Sequence, residues 1–343
     1  MKKLLSLILV LTLAVSILTS CNLFAPDEKN DPAGDPQDTN SVIRVAYMSG
    51  PTGMGMAKMI HDDSDKYEFI AYSDASLATA DLVTGKIDIA CLPTNTAATV
   101  YNKQNAAVQV LALNCLNSLF IMTKTGTTIE NLSDLEGKTI YTIKNGTPAV
   151  ILTHLLKEAG VNATVKTSIG EGSDEKVITA PTDLAPLLIT GKVDIALVPE
   201  PVATAAPLTI KSQNKDYNYS VAINLTEAWA EISDSPVAMG CIVANKSFAN
   251  SNKTALNSFL AEYEQSVDYV SNPDNIDTAA QYIADASILG AVPAAKKSLT
   301  NLGNAITYID GDEMKNILVE FYSTIGVNLI GGKLPEDEFY YKK

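Results

Sequence analysis

The sequence predicts two α/β lobes, each built on a central, mixed but mostly parallel sheet flanked by helices. Three observations predict it: a duplicated segment, matching strand and helix signals around each copy, and a length beyond one core. Leu82-Val83-Thr84-Gly85-Lys86-Ile87-Asp88-Ile89-Ala90 recurs as Leu188-Ile189-Thr190-Gly191-Lys192-Val193-Asp194-Ile195-Ala196, with Pro93 and Pro199 following at the same offset. Seven of the nine positions are identical and the other two exchange Val and Ile. From Val42 on, about 300 residues remain, more than a single hydrophobic core usually organises.

At the amino end, Lys2 and Lys3 precede an almost wholly apolar run from Leu4 to Thr19, and residues 1–20 hold no acidic side chain. A positive flank followed by a short apolar core is the pattern of an export signal. The run is also shorter than the roughly 20 residues of a spanning helix. It ends in Leu18-Thr19-Ser20-Cys21, which resembles the bacterial lipobox, so Cys21 is the expected lipidation site. Residues 21–41 then read as the lipidated Cys and a flexible tether, because the Asp, Asn, Pro and Gly after it bury too little surface to offset their ordering entropy.

The first folded element is a strand over Ile43–Met48, running into Ser49-Gly50-Pro51-Thr52-Gly53 and a helix. A second strand lies around Phe69–Tyr72. The first repeat copy ends a helix, turns at Gly85 and enters a short buried strand, since glycine takes the left-handed conformation that closes helices. The same order returns with a strand over Thr139–Ile143, the turn Lys144-Asn145-Gly146-Thr147-Pro148, a strand around Ala163–Lys166 and the second copy. Alternating strands and helices favour parallel sheets covered by helices. The tail adds a strand over Val237–Ala244 and helical periodicity over 253–271, 275–287 and 312–325.

The formal net charge is −14. An acidic surface argues against nucleic acid and against anionic headgroups as electrostatic partners. Cys91, Cys115 and Cys241 are too widely spaced for a disulfide framework or a metal-ligand set, and are expected as buried apolar side chains. Only His61 and His154 occur in the chain. Neither a Gly-x-Ser-x-Gly elbow, nor a phosphate-binding loop, nor a His-Glu-x-x-His motif is present. No catalytic residue, metal or cofactor is therefore expected.

Lipobox, tether, Gly-Pro-Thr-Gly turn, two Gly-Lys-hydrophobic-Asp-hydrophobic-Ala steps and helical tail together resemble the nitrate/sulfonate/taurine-type (SsuA/NMT1-like) substrate-binding proteins. That resemblance implies the type II periplasmic-binding fold, with residues 42–120 plus 223–343 as lobe I and 121–222 as lobe II. It also implies a monomer that captures a small molecule and delivers it to an ABC permease and its ATPase. A ligand-sensing lipoprotein that signals to a receptor is the alternative, as is an enzyme on the same fold, of the pyrimidine-synthase kind, for which too few histidines are present.

In open α/β sheets, ligands sit outside the carboxyl ends of the strands, where helix N-termini present free N–H groups. Five loops meet that description and supply the expected ligand-binding residues. They are Gly50, Pro51, Thr52 and Gly53; Thr94 and Asn95; Asn117 and Ser118; Asn145, Gly146 and Thr147; and Glu200. These loops offer hydroxyls, amides and backbone donors with little formal charge. Arg44, the only arginine, opens the first strand and lies away from this edge. An anionic group would thus be held by neutral donors, while Glu200 suits an amine-bearing portion, so a zwitterion or heterocycle fits as well as a sulfonate. Trp229, Tyr47 and Tyr72 are expected in packing roles.

Overall fold

The computed structural model describes residues 42–72, 74–144 and 147–343. The leader, Cys21, the tether, Asn145 and Gly146 lie outside the described residues.

The chain first lays down β1 (Ile43–Met48), β2 (Tyr67–Tyr72), β3 (Ile89–Pro93) and β4 (Val108–Leu116). It continues into β5 (Leu119–Lys124), β6 (Thr139–Tyr141) and β7 (Thr164–Lys166). A short ribbon of β8 (Ser168–Ile169) and β9 (Lys176–Val177) precedes β10 (Ile195–Pro199) and β11 (Tyr219–Asn224). Last come β12 (Ala238–Asn245) and β13 (Ile306–Ile309).

Two main sheets result, ordered β13-β4-β12-β3-β1-β2 and β11-β5-β10-β6-β7. Each holds one repeat unit with the same internal order, β2-β1-β3 and β7-β6-β10, and both units are parallel throughout. Their cores register alike, with Ala46 opposite Ala90 in one and Tyr141 opposite Ala196 in the other. In each sheet a strand of opposite direction, β12 or β5, lies against the third strand of the unit. β12 is buried nearly end to end, as a strand covered on both faces must be.

The repeated Thr-Gly-Lys explains itself in the backbone. Gly85 and Gly191 follow the helices Ala75–Val83 and Pro181–Ile189 with φ of 72° and 67°. Gly85 N–H donates to Leu82 O and Lys86 N–H to Asp81 O; Gly191 donates to Leu188 O and Lys192 to Leu187 O. Both are the paired bonds of a Schellman cap, which satisfy helix-end carbonyls and need a residue comfortable at positive φ. Thr84 and Thr190 return their hydroxyls to Ala80 O and Pro186 O in the same way.

Apolar side chains form one cluster that runs from Leu113 and Ala238 through Leu119 and Ile121 to Ile195 and Leu197, so it joins both sheets. A second cluster covers the other face of the first sheet with Phe259, Leu260, Ile283, Ala295 and Leu299. A third covers the second sheet with Leu184, Leu188, Ala203 and Ile210. Each fully buried Leu, Ile or Phe contributes about 1.5–3 kcal/mol.

Three helices fill the expected tail at Lys253–Ser271, Ile276–Asp285 and Gly311–Ile325. The tail exceeds the expectation in the short helix Lys246–Ser251, in the helix Val292–Leu302, whose apolar face is mostly Ala and Leu, and in β13, only four residues long. β6 stops at Tyr141, short of Ile143, where the Thr142 hydroxyl donates to Leu197 O. Cys91, Cys115 and Cys241 are unpaired and buried. Among the described residues no helix is long and apolar enough to cross a membrane.

Candidate ligand-binding site

The carboxyl ends of β1, β3, β4, β6 and β10 carry the loops singled out by sequence; close approach brings the loop after β1 to the one after β10, and a hydrogen bond ties Ser118 to Glu200. Gly50 has φ 86° and ψ −162°, a conformation open essentially to glycine alone. Its N–H donates to Ile288 O. A Cβ there would lie 3.2 Å from Pro201 Cδ, so the loop after β1 in the first sheet abuts the loop after β10 in the second.

Pro51 starts a four-residue helix to Met54 and is buried; Thr52 is half-buried. A Cβ on Gly53 would stand 1.9 Å from Met48 O, which makes this glycine a packing requirement. Asn114, near the end of β4, donates from Nδ2 to Thr52 O at 2.9 Å and pins the turn. Gly240 of β12 makes room beside it, since a Cβ would meet Thr52 Cγ2 at 2.4 Å and Asn114 Oδ1 at 2.5 Å. Asn114 Oδ1 and the Tyr263 hydroxyl are both buried without a hydrogen-bond partner. Burial lifts the Tyr263 pKa well above the ordinary phenol value.

Thr94 has a different position from the one its hydroxyl suggested. It is buried, donates to Ala238 O at 2.6 Å and through its own carbonyl accepts from the Tyr322 hydroxyl. Asn95 is half-buried beside it. Asn117 sits at φ 44° and ties the β4–β5 passage to the strand that returns: its N–H donates to Val237 O and its Oδ1 accepts from Val237 N. Ser118 is buried and its carbonyl accepts from Glu200 N–H. Thr147 heads the helix Thr147–Glu158, buried, with Pro148 next.

Glu200 is only 2% exposed. Its Oε1 accepts from Thr204 Oγ1 at 2.9 Å and Asn301 Nδ2 at 3.0 Å, while Oε2 has no partner. Burial raises its pKa above the ordinary carboxylate value, and the hydrogen bonds from Asn301 and Thr204 oppose that rise.

Arg44 lies at the opposite edge, as expected. It donates from Nε, Nη2 and its backbone N–H to Asp88, at 2.7–2.9 Å. Tyr47 donates to Ala286 O, Tyr72 to Asp81 and Trp229 Nε1 to Ser235 O, all structural contacts. His61 stacks on Tyr282 and His154 lies against Trp229.

Sequence reasoning missed Asn114, Gly240 and Asn301. Only Gly240 carried a signal, since glycine inside a buried strand marks a close approach. Asn301 lies on the helix Val292–Leu302, outside the helical periodicity of the tail.

The fold is shared with solved binding proteins. A Parabacteroides distasonis ABC transporter protein superposes with a TM-score of 0.70 at 18% identity, covering 88% of this chain and 99% of that one. The periplasmic aliphatic sulphonate-binding protein SsuA from Escherichia coli gives 0.67 at 16% identity, covering 88% and 92%. The alkanesulfonate-binding SsuA from Xanthomonas axonopodis pv. citri, bound to MOPS, gives 0.61 at 13%, covering 90% and 98%. These likenesses establish the type II periplasmic-binding fold. No curated protein matches the sequence. A family model, NMT1/THI5 like, matches residues 66–276, more than half of the chain, and the chain belongs to that NMT1/THI5-like family.

Proposed function

We propose that the protein is a lipid-anchored, extracytoplasmic solute-binding component of an ABC importer, tethered through Cys21 and acting as a monomer. The observation that carries this reading is the meeting of strand-end loops from two sheets, the turn at Gly50 from one and Glu200–Pro201 from the other. A solute caught between them touches both sheets only when they are drawn together. It therefore shifts an open–closed equilibrium toward the closed form, which a permease and its ATPase then engage. Residues 42–120 plus 223–343 and residues 121–222 are the two moving lobes in this account.

The ligand contacts we assign are Gly50, Pro51, Thr52 and Gly53, Thr94 and Asn95, Asn117 and Ser118, Asn145, Gly146 and Thr147, and Glu200. Backbone N–H groups and the Thr52 hydroxyl favour a sulfonate-like or other small anion, a zwitterion, or a polar heterocycle. Arg44 is engaged by Asp88, so no guanidinium clamps the anion. A binding role, not catalysis, is supported by the two histidines, both packed against aromatic rings away from these loops.

Thermal unfolding of residues 27–343 against sulfonates, carboxylates, amino acids, nucleobases and vitamin precursors tests the reading. A solute at one hundred times its dissociation constant adds about 2.7 kcal/mol. A reproducible rise in melting temperature with one chemical class is the expected result. A flat response across the panel from folded, ligand-free protein contradicts it.

A further inference from the structure

Glu200 closes the turn after β10 and heads the helix Val202–Ser212 of the second sheet. Asn301 and Ser298 belong to the helix Val292–Leu302, whose Ala295, Leu299 and Leu302 pack in the cluster on the first sheet. Asn301 Nδ2 donates to Glu200 Oε1 at 3.0 Å and to Thr204 Oγ1 at 2.9 Å, and Thr204 Oγ1 donates to the same carboxylate oxygen. Ser298 is fully buried beside that carboxyl group, and neither Ser298 Oγ nor Glu200 Oε2 has a partner of its own. A carboxylate moved from water into such a place is costly unless donors replace its hydration. Here one of those donors comes from an element 101 residues away in the chain.

We propose that Asn301, with Ser298 beside it, is a positioning residue that latches the Glu200 loop of the second sheet to the tail helix of the first, and so sets how often the cleft is shut before any solute enters. The inference rests on the two-lobe reading above. A ligand's apparent affinity scales with the fraction of protein already in the competent form. Losing the latch therefore weakens every solute by one common factor, whereas losing a ligand contact changes the ranking among solutes. Leaving a buried acceptor without its donor costs enough to move the closed-to-open ratio about tenfold.

The test needs no ligand. Spin labels on cysteines at Leu77 and Leu208, which are 61% and 41% exposed on helices of the two sheets, report the distance between the sheets by pulsed electron paramagnetic resonance. The full chain carries Cys21→Ser, and Cys91, Cys115 and Cys241 are buried from the label. With Asn301 in place the expected distribution is dominated by one short distance. Asn301→Ala shifts population to longer distances, while Glu200→Gln, which keeps the acceptor that Asn301 and Thr204 use, holds the short one. If Asn301→Ala does not fold by circular dichroism, Asn301→Ser, too short to reach Glu200, takes its place with the same expectation. An unchanged distribution in the folded Asn301 variant overturns the latch, as does Glu200→Gln opening to the same extent. Either result leaves the solute-binding reading standing, because the melting panel judges that separately.

Discussion

The two copies of the Leu-Val/Ile-Thr-Gly-Lys step have the same backbone and different ends. In the first copy Asp88 is held by three donors of Arg44, and Thr94 beyond it is tied to Ala238 O and Tyr322. In the second, the Asp194 side chain is 73% exposed with Lys124 3.8 Å away, and Glu200 beyond it reaches to Asn301. The caps that both copies share call for Gly at positive φ and use the Thr hydroxyl, while the residues past each strand are free to differ. One copy knits its own sheet together, and the other faces across to its neighbour.

The glycines sharpen this most. Gly85→Ala places a Cβ in open space at positive φ, at a cost of about 1 kcal/mol from backbone conformation. Gly191→Ala adds a Cβ 2.9 Å from the Tyr217 ring, which is itself bonded to Ile189 O, so a total loss of about 3 kcal/mol is expected. Urea unfolding of the two variants side by side measures the difference; equal losses would show the copies to be packed alike.

The aspartates come next. Asp88→Ala strips the partner from a backbone N–H and from Arg44, and is expected to lose about 2 kcal/mol. Asp194→Ala should stay within about 0.5 kcal/mol, as exposed pairs usually do. Thr94→Val removes a single buried donor and should cost about 1 kcal/mol, leaving Ala238 O short of a partner. A smaller loss there would mean that Thr94 is less committed to its own sheet than its geometry requires.

The smallest effect is a pH dependence. Burial raises the Glu200 pKa, so the folded chain favours the protonated acid more than the unfolded chain does. Its contribution to stability is therefore best below the ordinary carboxylate pKa, declines as pH rises to the raised value and is constant above it. Glu200→Gln should melt slightly higher than the parent at pH 7, with the gap closing as the solution is acidified. A gap that widens on acidification would reverse the assignment.

Architecture was legible because the repeat announces it: Gly85 and Gly191 take the conformation their caps require, and the strands follow them. β13 and the helix Val292–Leu302 were not legible, since four residues leave little alternation and a short face of Ala and Leu little periodicity. At the site, the loops could be named from Gly50, Thr94, Ser118 and Glu200, yet the direction of each side chain could not. Thr94 turns its hydroxyl to Ala238 O because the long-range pairing of β12 with β3 puts that carbonyl there. Asn301 stands 101 residues from Glu200, and no local pattern links the two.

Small-angle X-ray scattering of the protein, with and without the solute that raises its melting temperature most, tests the central claim most directly. Capture between two sheets predicts that the radius of gyration falls on saturation and returns when the solute is removed. A saturated protein whose scattering curve is unchanged would contradict closure as the means of capture.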